Sequence, residues 1–341
     1  MPVISVVIPA FRAEATIARA IRSVLDQSIN DWEAIVVADD QIDYAAILRR
    51  SGIEDRRLRF LSTGRLGSGC HHARNVGLAS VCGDFIATLD ADDLFLPTRL
   101  ETLLPLATKD GAAADNLRVV DDAIGHEISR AFGENFARRT LSIPALLDMS
   151  VPLFPIVARQ HAEPRLTGVE FGEDVVANLR LIDHLDSLTV IGASLSEYRI
   201  VRDSLTYNER SAESFEKSYS SLVERLTHGD QLGLSPANAT AAREGMLRKR
   251  NLNRAFALAR RSNAALDFQT FTASGGSRVQ NGISSSMSSC LPPAPAIAGL
   301  RSRDAVGPAE PKSPLSAPAP PPARSSMVSA ELKPCRTTSV E

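Results

Sequence analysis

The sequence lacks the features of a membrane-spanning or secreted protein. No apolar run among its 341 residues approaches the length needed to cross a bilayer. The amino-terminal stretch MPVISVVIPAF has no positively charged region before its apolar residues, so we expect no signal peptide. The four cysteines form no Cys-x-x-Cys pair and no regular ladder of spacings, which argues against a disulfide framework. From these absences we expect a cytoplasmic protein.

The sequence also lacks an excess of charge of either sign. Its 38 basic and 40 acidic residues give a net charge of -2, which provides no electrostatic basis for binding nucleic acid. One stretch departs from this balance, because REGMLRKRNLNRAFALARR holds seven basic residues and one acidic residue. Such a density suits a peripheral contact with the inner face of the cytoplasmic membrane, but a solvated helix face explains it equally well.

Residues 274–341 lack hydrophobic periodicity. Eleven of the 20 prolines lie between Pro292 and Pro334, in segments such as SAPAPPPARSS. A segment of this composition cannot bury enough apolar surface to form a core, so we expect a low-complexity, disordered tail. A shifted reading frame or a Pro-rich ligand segment would each produce it, and we assign it no function.

Strands and helices alternate along the first 110 residues. Short apolar runs that predict buried strands are VISVVIP, WEAIVVADD, RLRFLST and FIATL. Between them EATIARAIRSVLDQ spaces its apolar residues as a helix does, and EDVVANLRLIDHL further on predicts another amphipathic helix. This rhythm predicts an α/β fold with a mostly parallel, Rossmann-like sheet and helices on both faces. We expect this domain to span residues 1–208, with a helical region at residues 209–273 before the tail.

Acidic residues cluster where the predicted strand FIATL ends. In parallel sheets ligands bind outside the carboxyl ends of the strands. Three successive strand ends carry Pro9-Ala10-Phe11, Asp39-Asp40 and Asp90-Ala91-Asp92-Asp93. The pair Asp90-x-Asp92 offers hard oxygen ligands suited to Mg²⁺ or Mn²⁺, but the same carboxylates could cap the following helix or form a solvated turn. Their position beside two other strand ends favours a binding site.

Four segments together resemble the successive motifs of the family 2 glycosyltransferases: ISVVIPAFRAEATIARAIRSVLDQS, AIVVADD, ARNVGLASVCGDFIATLDADDLFLP and FGEDVVANLRL. The resemblance runs from Val3 to about Tyr207 and looks most like bacterial exopolysaccharide enzymes of the succinoglycan-assembly kind. It implies a GT-A fold and an inverting transfer that depends on Mg²⁺ or Mn²⁺. The implied substrates are a UDP-sugar, with glucose as the expected sugar, and a lipid-linked oligosaccharide acceptor in exopolysaccharide biosynthesis.

The resemblance implies a role for residues at each motif. In the family, the end of the first strand contacts the nucleotide, the acid ending the second strand recognises the base, and an arginine lies near the nucleotide. The DxD motif binds the metal, and the acid of the ED motif is the catalytic base. The implied nucleotide-binding residues are Pro9, Ala10, Phe11, Asp39, Asp40, Arg74 and Asp90, the metal ligand is Asp92, and the base is Asp174. The sequence departs from the family at Gln41, where glycine is usual, and Asp43 is an open match to a later acid.

Two residue pairs have open roles. His71 and His72 are adjacent, so they cannot share one helix face as metal ligands at i and i+4 do, and we expect surface or supporting roles. Tyr198 and Arg199 resemble a family position near the acceptor or the diphosphate. A structural role for this pair under the sheet is equally consistent with the sequence.

Other functions fit the sequence less well. A processive polysaccharide synthase needs transmembrane helices and a Gln-x-x-Arg-Trp motif, whereas the only tryptophan is Trp32. A nucleotidyltransferase has no need of the ED helix. Glu173 and Asp174 could instead only stabilise the start of a helix, which typically contributes about 0.3–1 kcal/mol. The alternative is therefore an inactive or regulatory nucleotide-sugar-binding subunit, which is favoured if Asp174 faces away from Asp90 and Asp92.

Overall fold

The computed structural model describes residues 2–133, 135–149, 151–169, 171–201, 211–263, 266 and 268–273. The strands within these ranges are β1 (Ile4–Ala10), β2 (Trp32–Ala38), β3 (Leu58–Ser62), β4 (Phe85–Thr88), β5 (Leu94–Phe95), β6 (Ala112–Asp115), β7 (Arg118–Asp121), β8 (Glu127–Arg130), β9 (Arg138–Leu141), β10 (Ile156–Ala158), β11 (Leu188–Ile191) and β12 (Ser196–Ile200). The helices are α1 (Ile17–Leu25), α2 (Tyr44–Arg50), α3 (Cys70–Leu78), α4 (Arg99–Asp110), α5 (Ile143–Asp148), α6 (Glu173–Leu185), α7 (Ser211–Thr227), α8 (Pro236–Ser262) and α9 (Phe268–Ala273). The predicted tail at residues 274–341 lies outside the described residues.

The main sheet contains eight of the described strands, in the order β3-β2-β1-β4-β10-β6-β11-β9. β1 lies between β2 and β4 and runs parallel to both, with Ile4 opposite Trp32 and Phe85. All seven residues of β1 are buried, as expected for a continuous apolar run in a sheet covered on both faces. The predicted α/β fold is confirmed.

The sheet is mixed in direction. Its first half, β3-β2-β1-β4, is parallel as the sequence predicts. β10 then runs antiparallel to both β4 and β6, and β9 runs antiparallel to β11. A three-residue strand such as β10 has no periodicity from which its presence or direction could be predicted.

Helices pack on both faces of the parallel half. On one face, α1 and α4 share a hydrophobic cluster with Ile4, Val6 and Ile8 of β1. On the other face, α3 packs against Val7. This division follows from the two-residue period of a strand, which points successive side chains to opposite faces. The carboxyl ends of β1, β2 and β4 therefore come together at one edge of a sheet held between two helical layers.

A second sheet positions the residues after the acidic cluster. It contains β5, β12, β7 and β8 in that order. β12 pairs antiparallel with β5, so that Glu197 lies opposite Leu94. Because β5 begins directly after Asp93, this pairing holds the end of the acidic cluster against β12.

Helices α7 and α8 share a core with the sheet-bearing part of the chain. One hydrophobic cluster contains Leu222 of α7, Met246 of α8 and Val176 of α6. α8 also approaches α5 closely, because a Cβ atom at Gly245 would lie 2.5 Å from a methyl carbon of Leu147. None of the described helices combines the length and the apolar character that a membrane crossing needs.

Candidate active site

Asp39, at the carboxyl end of β2, holds a glycine-rich loop. It is buried, and one of its carboxylate oxygens accepts hydrogen bonds from Ser68 and, at 2.7 Å, from Thr63. The other oxygen accepts the backbone N–H of Gly69 at 2.8 Å. Burial alone would raise the pKa of Asp39, but the hydrogen bonds outweigh it and hold the pKa below its ordinary value. The ionised carboxylate thus fixes the loop that leads into α3, and a contact of Asp39 with a nucleobase stays a prediction.

Asp40 fixes the turn that follows β1. Its Oδ2 accepts the backbone N–H of Arg12 at 2.5 Å and the hydroxyl of Tyr44 at 2.6 Å. Arg12 and Gln41 have φ values of 52° and 66°, in the left-handed region that favours glycine and costs other residues about 1–2 kcal/mol. The loop after β2 therefore adopts a glycine-type backbone conformation although Gln41 stands there. Asp43 caps α2, because its side chain accepts the backbone N–H of Ala46 at 2.9 Å.

Phe11 lies against the same glycine-rich loop. The residue is 37% exposed, and its ring approaches within 3.7 Å of the position that a Cβ atom of Gly67 would take. The guanidinium of Arg12 lies 5.1 Å from the centre of the ring. Pro9 and Ala10 are buried in β1. Of these three predicted nucleotide contacts, Phe11 is the one with a side chain available to a ligand.

Arg74 links the acidic cluster to the ED motif. Its side chain is 7% exposed, and the guanidinium donates to Asp90 at 2.5 Å and to Glu173. Arg165 lies 3.8 Å from the other carboxylate oxygen of Glu173. Burial opposes the ionisation of Glu173, but the charges of Arg74 and Arg165 hold its pKa below the ordinary value. The ED motif therefore begins at the same edge of the sheet as the DxD motif, although 99 positions separate Arg74 from Glu173.

The three acids that follow β4 differ in their surroundings. Asp93 is buried and accepts the backbone N–H of Arg199 at 2.8 Å; burial, with repulsion from Asp92 and Asp90, raises its pKa well above the ordinary value. Burial and repulsion from Asp90 raise the pKa of Asp92 to about 6. Within the described ranges no basic side chain forms an ion pair with the carboxylate of Asp92. Arg19 donates instead to the backbone carbonyl of Asp92, at 3.2 Å.

These carboxylates fit a hard divalent cation. Arg74 pairs with one oxygen of Asp90 and with neither oxygen of Asp92. Mg²⁺ typically uses one or two carboxylates, completed by water and substrate phosphates. No group of three His, Cys, Asp or Glu side chains that could hold a metal occurs in the described part of the chain. The protein could thus supply part of a coordination shell, and Asp92 as a metal ligand stays a prediction.

Asp174 occupies the first turn of α6, directly after Gly172 and Glu173. Gly172 has a φ of 83°, a conformation that favours glycine. Burial and the adjacent Glu173 raise the pKa of Asp174, while the charges of Arg74 and Arg165 oppose the rise. A general base works best when its pKa approaches the working pH. The surroundings of Asp174 therefore suit proton abstraction, although its role as the base stays a prediction.

The structure also places residues whose roles the sequence left open. Arg199 forms ion pairs with Asp122 at 2.7 Å and with Glu197 at 2.5 Å, so its guanidinium supports the second sheet. The ring of His71 folds back onto Gly69, and burial lowers its pKa. The contacts of both side chains therefore stabilise neighbouring parts of the fold.

The contact of Arg165 with Glu173 of the ED motif was not predicted from the sequence. Arg165 lies in a segment with no predicted element, so nothing in the pattern marks it.

The chain matches a known family over part of its length. Residues 5–151 match the family model described as Glycosyl transferase family 2. The UDP-Glc:alpha-D-GlcNAc-diphosphoundecaprenol beta-1,3-glucosyltransferase WfgD of Escherichia coli is 35% identical over 106 residues, which are 31% of this chain and 41% of that protein. The succinoglycan biosynthesis protein ExoO of Rhizobium meliloti (strain 1021) is 35% identical over 155 residues, which are 44% of this chain and 43% of that protein. The matched part spans less than half the length of each relative.

Solved structures of TarS from S. aureus share the fold. TarS 1-349 has a TM-score of 0.56 at 14% identity, covering 76% of this chain and 79% of that chain. The same protein in complex with UDP-GlcNAc has a TM-score of 0.53 at 14% identity, covering 68% of this chain and 70% of that chain. At this identity the likeness shows the fold alone, and the predicted GT-A-like α/β fold is confirmed.

Proposed function

We propose that the protein is an inverting glycosyltransferase, because residues 5–151 match the model of Glycosyl transferase family 2. The donor is a UDP-sugar, and the acceptor is a hydroxyl of a lipid-linked oligosaccharide in exopolysaccharide biosynthesis. The single observation that carries the proposal is the Arg74 bridge between Asp90 and Glu173. It ties the start of α6 to the strand-end acids, as a reaction between two bound substrates requires. The alternative is an inactive or regulatory binding subunit, which is favoured if Asp174 faces away from Asp90 and Asp92; the Arg74 bridge brings Glu173, the neighbour of Asp174, to those acids.

In this proposal Asp174 acts on the acceptor. Its carboxylate takes the proton of the acceptor hydroxyl as that oxygen forms a bond to the anomeric carbon. The bond from the anomeric carbon to the diphosphate breaks on the opposite face, so the configuration inverts and UDP leaves. A base contributes typically about 10²–10⁴-fold in rate.

The other strand ends bind the donor in this proposal. Phe11 offers an exposed aromatic face beside the glycine-rich loop that Asp39 holds. Asp92, with Asp90 beside it, would hold Mg²⁺ or Mn²⁺, which supplies positive charge for the leaving diphosphate when bound. The side chain of Arg74 is already paired with two carboxylates, so we assign it to positioning these acids.

The choice of substrates rests on the named relatives. WfgD is named as a glucosyltransferase that uses UDP-Glc and a diphosphoundecaprenol acceptor, and ExoO as a succinoglycan biosynthesis protein. TarS has been solved with UDP-GlcNAc. We therefore propose a UDP-sugar donor, with glucose as the first sugar to test.

A peripheral membrane contact through α8 is a weaker part of the proposal. Arg248 pairs with Asp148 at 3.2 Å, and Arg254 pairs with Glu216 at 2.5 Å. These pairs reduce the charge that the basic stretch presents to an anionic surface. Sedimentation with vesicles of stated anionic lipid content would test the contact directly.

The proposed activity is tested by UDP release from a panel of nucleotide sugars. Purified full-length protein is incubated with each donor, Mn²⁺ or Mg²⁺, and a membrane extract that contains lipid-linked sugars. We expect extract-dependent release of UDP with one donor, and a product whose new linkage has the configuration opposite to that of the donor. Retention of configuration, or binding of donors without any transfer, would contradict the proposal.

A further inference from the structure

The acidic segment between β4 and β5 forms a tight turn. The backbone N–H of Asp93 donates to the carbonyl of Asp90 at 3.1 Å, which makes Asp92 the third residue of a four-residue turn. The first residue is held through its side chain, because Arg74 pairs with Asp90 at 2.5 Å. The last residue is held through its carboxylate, which accepts the backbone N–H of Arg199 at 2.8 Å. Both ends of the turn are thus fixed, and Asp92 lies between them.

Arg19 of α1 contacts the backbone of Asp92. Its guanidinium donates to the carbonyl oxygen of Asp92 at 3.2 Å. That carbonyl belongs to the planar peptide group that follows Asp92, so the contact restricts rotation about the bond between this peptide group and the Cα atom of Asp92. The side chain of Asp92 leaves from the same Cα atom. The hydrogen bond therefore limits the direction in which the carboxylate points from the turn.

Asp122 holds Arg19 in this place. One oxygen of its carboxylate, Oδ1, lies 2.7 Å from the guanidinium of Arg19 and 2.7 Å from that of Arg199. The backbone of Asp122 is fixed in turn, because its N–H donates to the carbonyl of Ile200, the last residue of β12, at 3.2 Å. The second sheet thus reaches the carbonyl of Asp92 through Asp122 and Arg19.

The two arginines that share Asp122 differ in their other partners. Arg199 also pairs with Glu197 at 2.5 Å. Among the ion pairs of the described residues, Asp122 is the carboxylate that Arg19 has, and the side chains of this pair are 36% and 23% exposed. Pairs exposed to solvent contribute little to global stability. Loss of Asp122 should therefore release Arg19 without unfolding the protein.

We infer that Asp122 is a positioning residue for Asp92. By pairing with Arg19 it keeps that guanidinium on the carbonyl of Asp92, and so fixes the direction in which the carboxylate of Asp92 meets a divalent ion. The inference rests on the proposed function for the role of Asp92 as a metal ligand. Contact of Asp122 with the metal or with a substrate is not required. Loss of a group that orients a metal ligand typically weakens metal binding by about 10–100-fold.

The sign of a second substitution separates positioning from charge. If Asp122 acted by its charge alone, removing the positive charge of Arg19 would strengthen the binding of a cation, because like charges repel. If Asp122 acts through the position of Arg19, loss of Arg19 weakens cation binding as well. Loss of both residues should then weaken it no more than the loss of either one, because the two substitutions break the same connection.

The test measures the affinity of Mn²⁺ for the full-length protein in the presence of UDP, from the electron paramagnetic resonance signal of free Mn²⁺. Wild type is compared with Asp122→Ala, Arg19→Met, the double variant and Asp92→Asn. Glu127→Gln is the matched control, because Glu127 pairs with Arg130 at 2.6 Å on the same sheet with more exposed side chains. We expect binding about 10-fold weaker in Asp122→Ala, in Arg19→Met and in the double variant, and unchanged in the control.

The donor KM supplies a second readout. In Asp122→Ala it should rise at limiting Mn²⁺ and return to the wild-type value at saturating Mn²⁺, which a loss of stability would not produce. Wild-type Mn²⁺ affinity in folded Asp122→Ala would overturn the inference, and so would tighter binding in Arg19→Met. If Asp122→Ala does not fold, Arg19→Met makes the same test at a more exposed position.

The same measurements distinguish failure of the inference from failure of the proposed function. If Asp92→Asn binds Mn²⁺ as the wild type does, the metal assignment of the proposed function fails, and the inference about Asp122 is overturned with it. If Asp92→Asn loses affinity while Asp122→Ala keeps it, the inference alone fails. If the affinities follow the expected order but no nucleotide sugar supports transfer, the proposed activity fails and the positioning of Asp92 by Asp122 stands.

Discussion

Replacing Arg74 by methionine should lower the free energy of unfolding by about 3–5 kcal/mol. The side chain of Arg74 is 7% exposed and pairs with Glu173, which is 3% exposed, and with Asp90, which is 25% exposed. Removing one partner of a buried ion pair leaves an uncompensated charge and typically costs about 3–5 kcal/mol. Two carboxylates lose Arg74 here, but Asp90 gains part of its compensation from water and Glu173 keeps Arg165 at 3.8 Å.

Urea unfolding followed by circular dichroism measures this loss as a lower midpoint at an unchanged slope. Arg254→Gln is the matched control, because Arg254 pairs with Glu216 at 2.5 Å while their side chains are 56% and 31% exposed. Exposed pairs contribute about 0–1 kcal/mol, so the control should unfold almost as the wild type does. A loss below about 1 kcal/mol for Arg74→Met would refute the buried network.

Two further variants separate charge from geometry. Arg74→Met combined with Glu173→Gln should be more stable than Arg74→Met alone, because the double variant removes the buried charge left unpaired. Arg74→Lys should fall between wild type and Arg74→Met, since an ammonium lacks the planar fork that reaches two carboxylates. If the double variant is the least stable of the set, the carboxylate of Glu173 is not the group that Arg74 compensates.

The same pair predicts a dependence of stability on pH. Burial opposes the ionisation of Glu173, but Arg74 and Arg165 hold its pKa below the ordinary 4.5. A group whose pKa is depressed in the folded state stabilises the fold above its unfolded pKa, and that stabilisation is lost as the pH falls through the folded pKa. The wild type should therefore lose stability below about pH 4.5 more steeply than Arg74→Met. Equal slopes for the two proteins in this range would contradict the assignment.

Three other changes have defined outcomes. Asp92→Asn should abolish activity and weaken UDP-sugar binding in the presence of Mn²⁺ or Mg²⁺, because a carboxylate oxygen suited to a hard cation is lost. Full metal-dependent affinity by calorimetry would exclude Asp92 as a metal ligand. Removal of residues 275–341 should leave the melting temperature and turnover unchanged, since their composition gives nothing to a core. A drop in either would show that the tail contributes. Gln41→Gly should raise stability by up to about 1 kcal/mol, because glycine adopts its φ of 66° without strain, and a destabilised variant would show that the side chain of Gln41 matters more.

The parallel half of the fold could be predicted from the sequence because each of its strands is a distinct apolar run. VISVVIP became β1 and EDVVANLRLIDHL became α6 at its predicted position. β10 could not be predicted, since its three residues have no period and its pairing depends on β4 and β6. The local sequence pattern therefore predicts the long elements, whereas the position and pairing of the short ones depend on tertiary contacts.

The candidate site divides in the same way. The positions of Asp39, Asp90 and Asp92 could be predicted, because the strand ends are visible in the sequence and parallel strands end at the same edge of a sheet. The loop-holding bonds of Asp39 could not be predicted, since they depend on the path of residues 63–69. Arg165 could not be predicted, because it lies in a segment with no predicted element and its contact with Glu173 depends on tertiary packing.

The most direct test of the proposed function is a comparison of donor binding and sugar transfer in Asp174→Asn. A base that acts on the acceptor makes no necessary contribution to donor affinity, so the variant should bind UDP-sugar as the wild type does. Transfer should fall by about 10²–10⁴-fold, with little change in KM or in melting temperature. Near-normal turnover with a slightly lower melting temperature would mean that Asp174 only stabilises the start of α6. That result would contradict the proposal that Asp174 is the catalytic base.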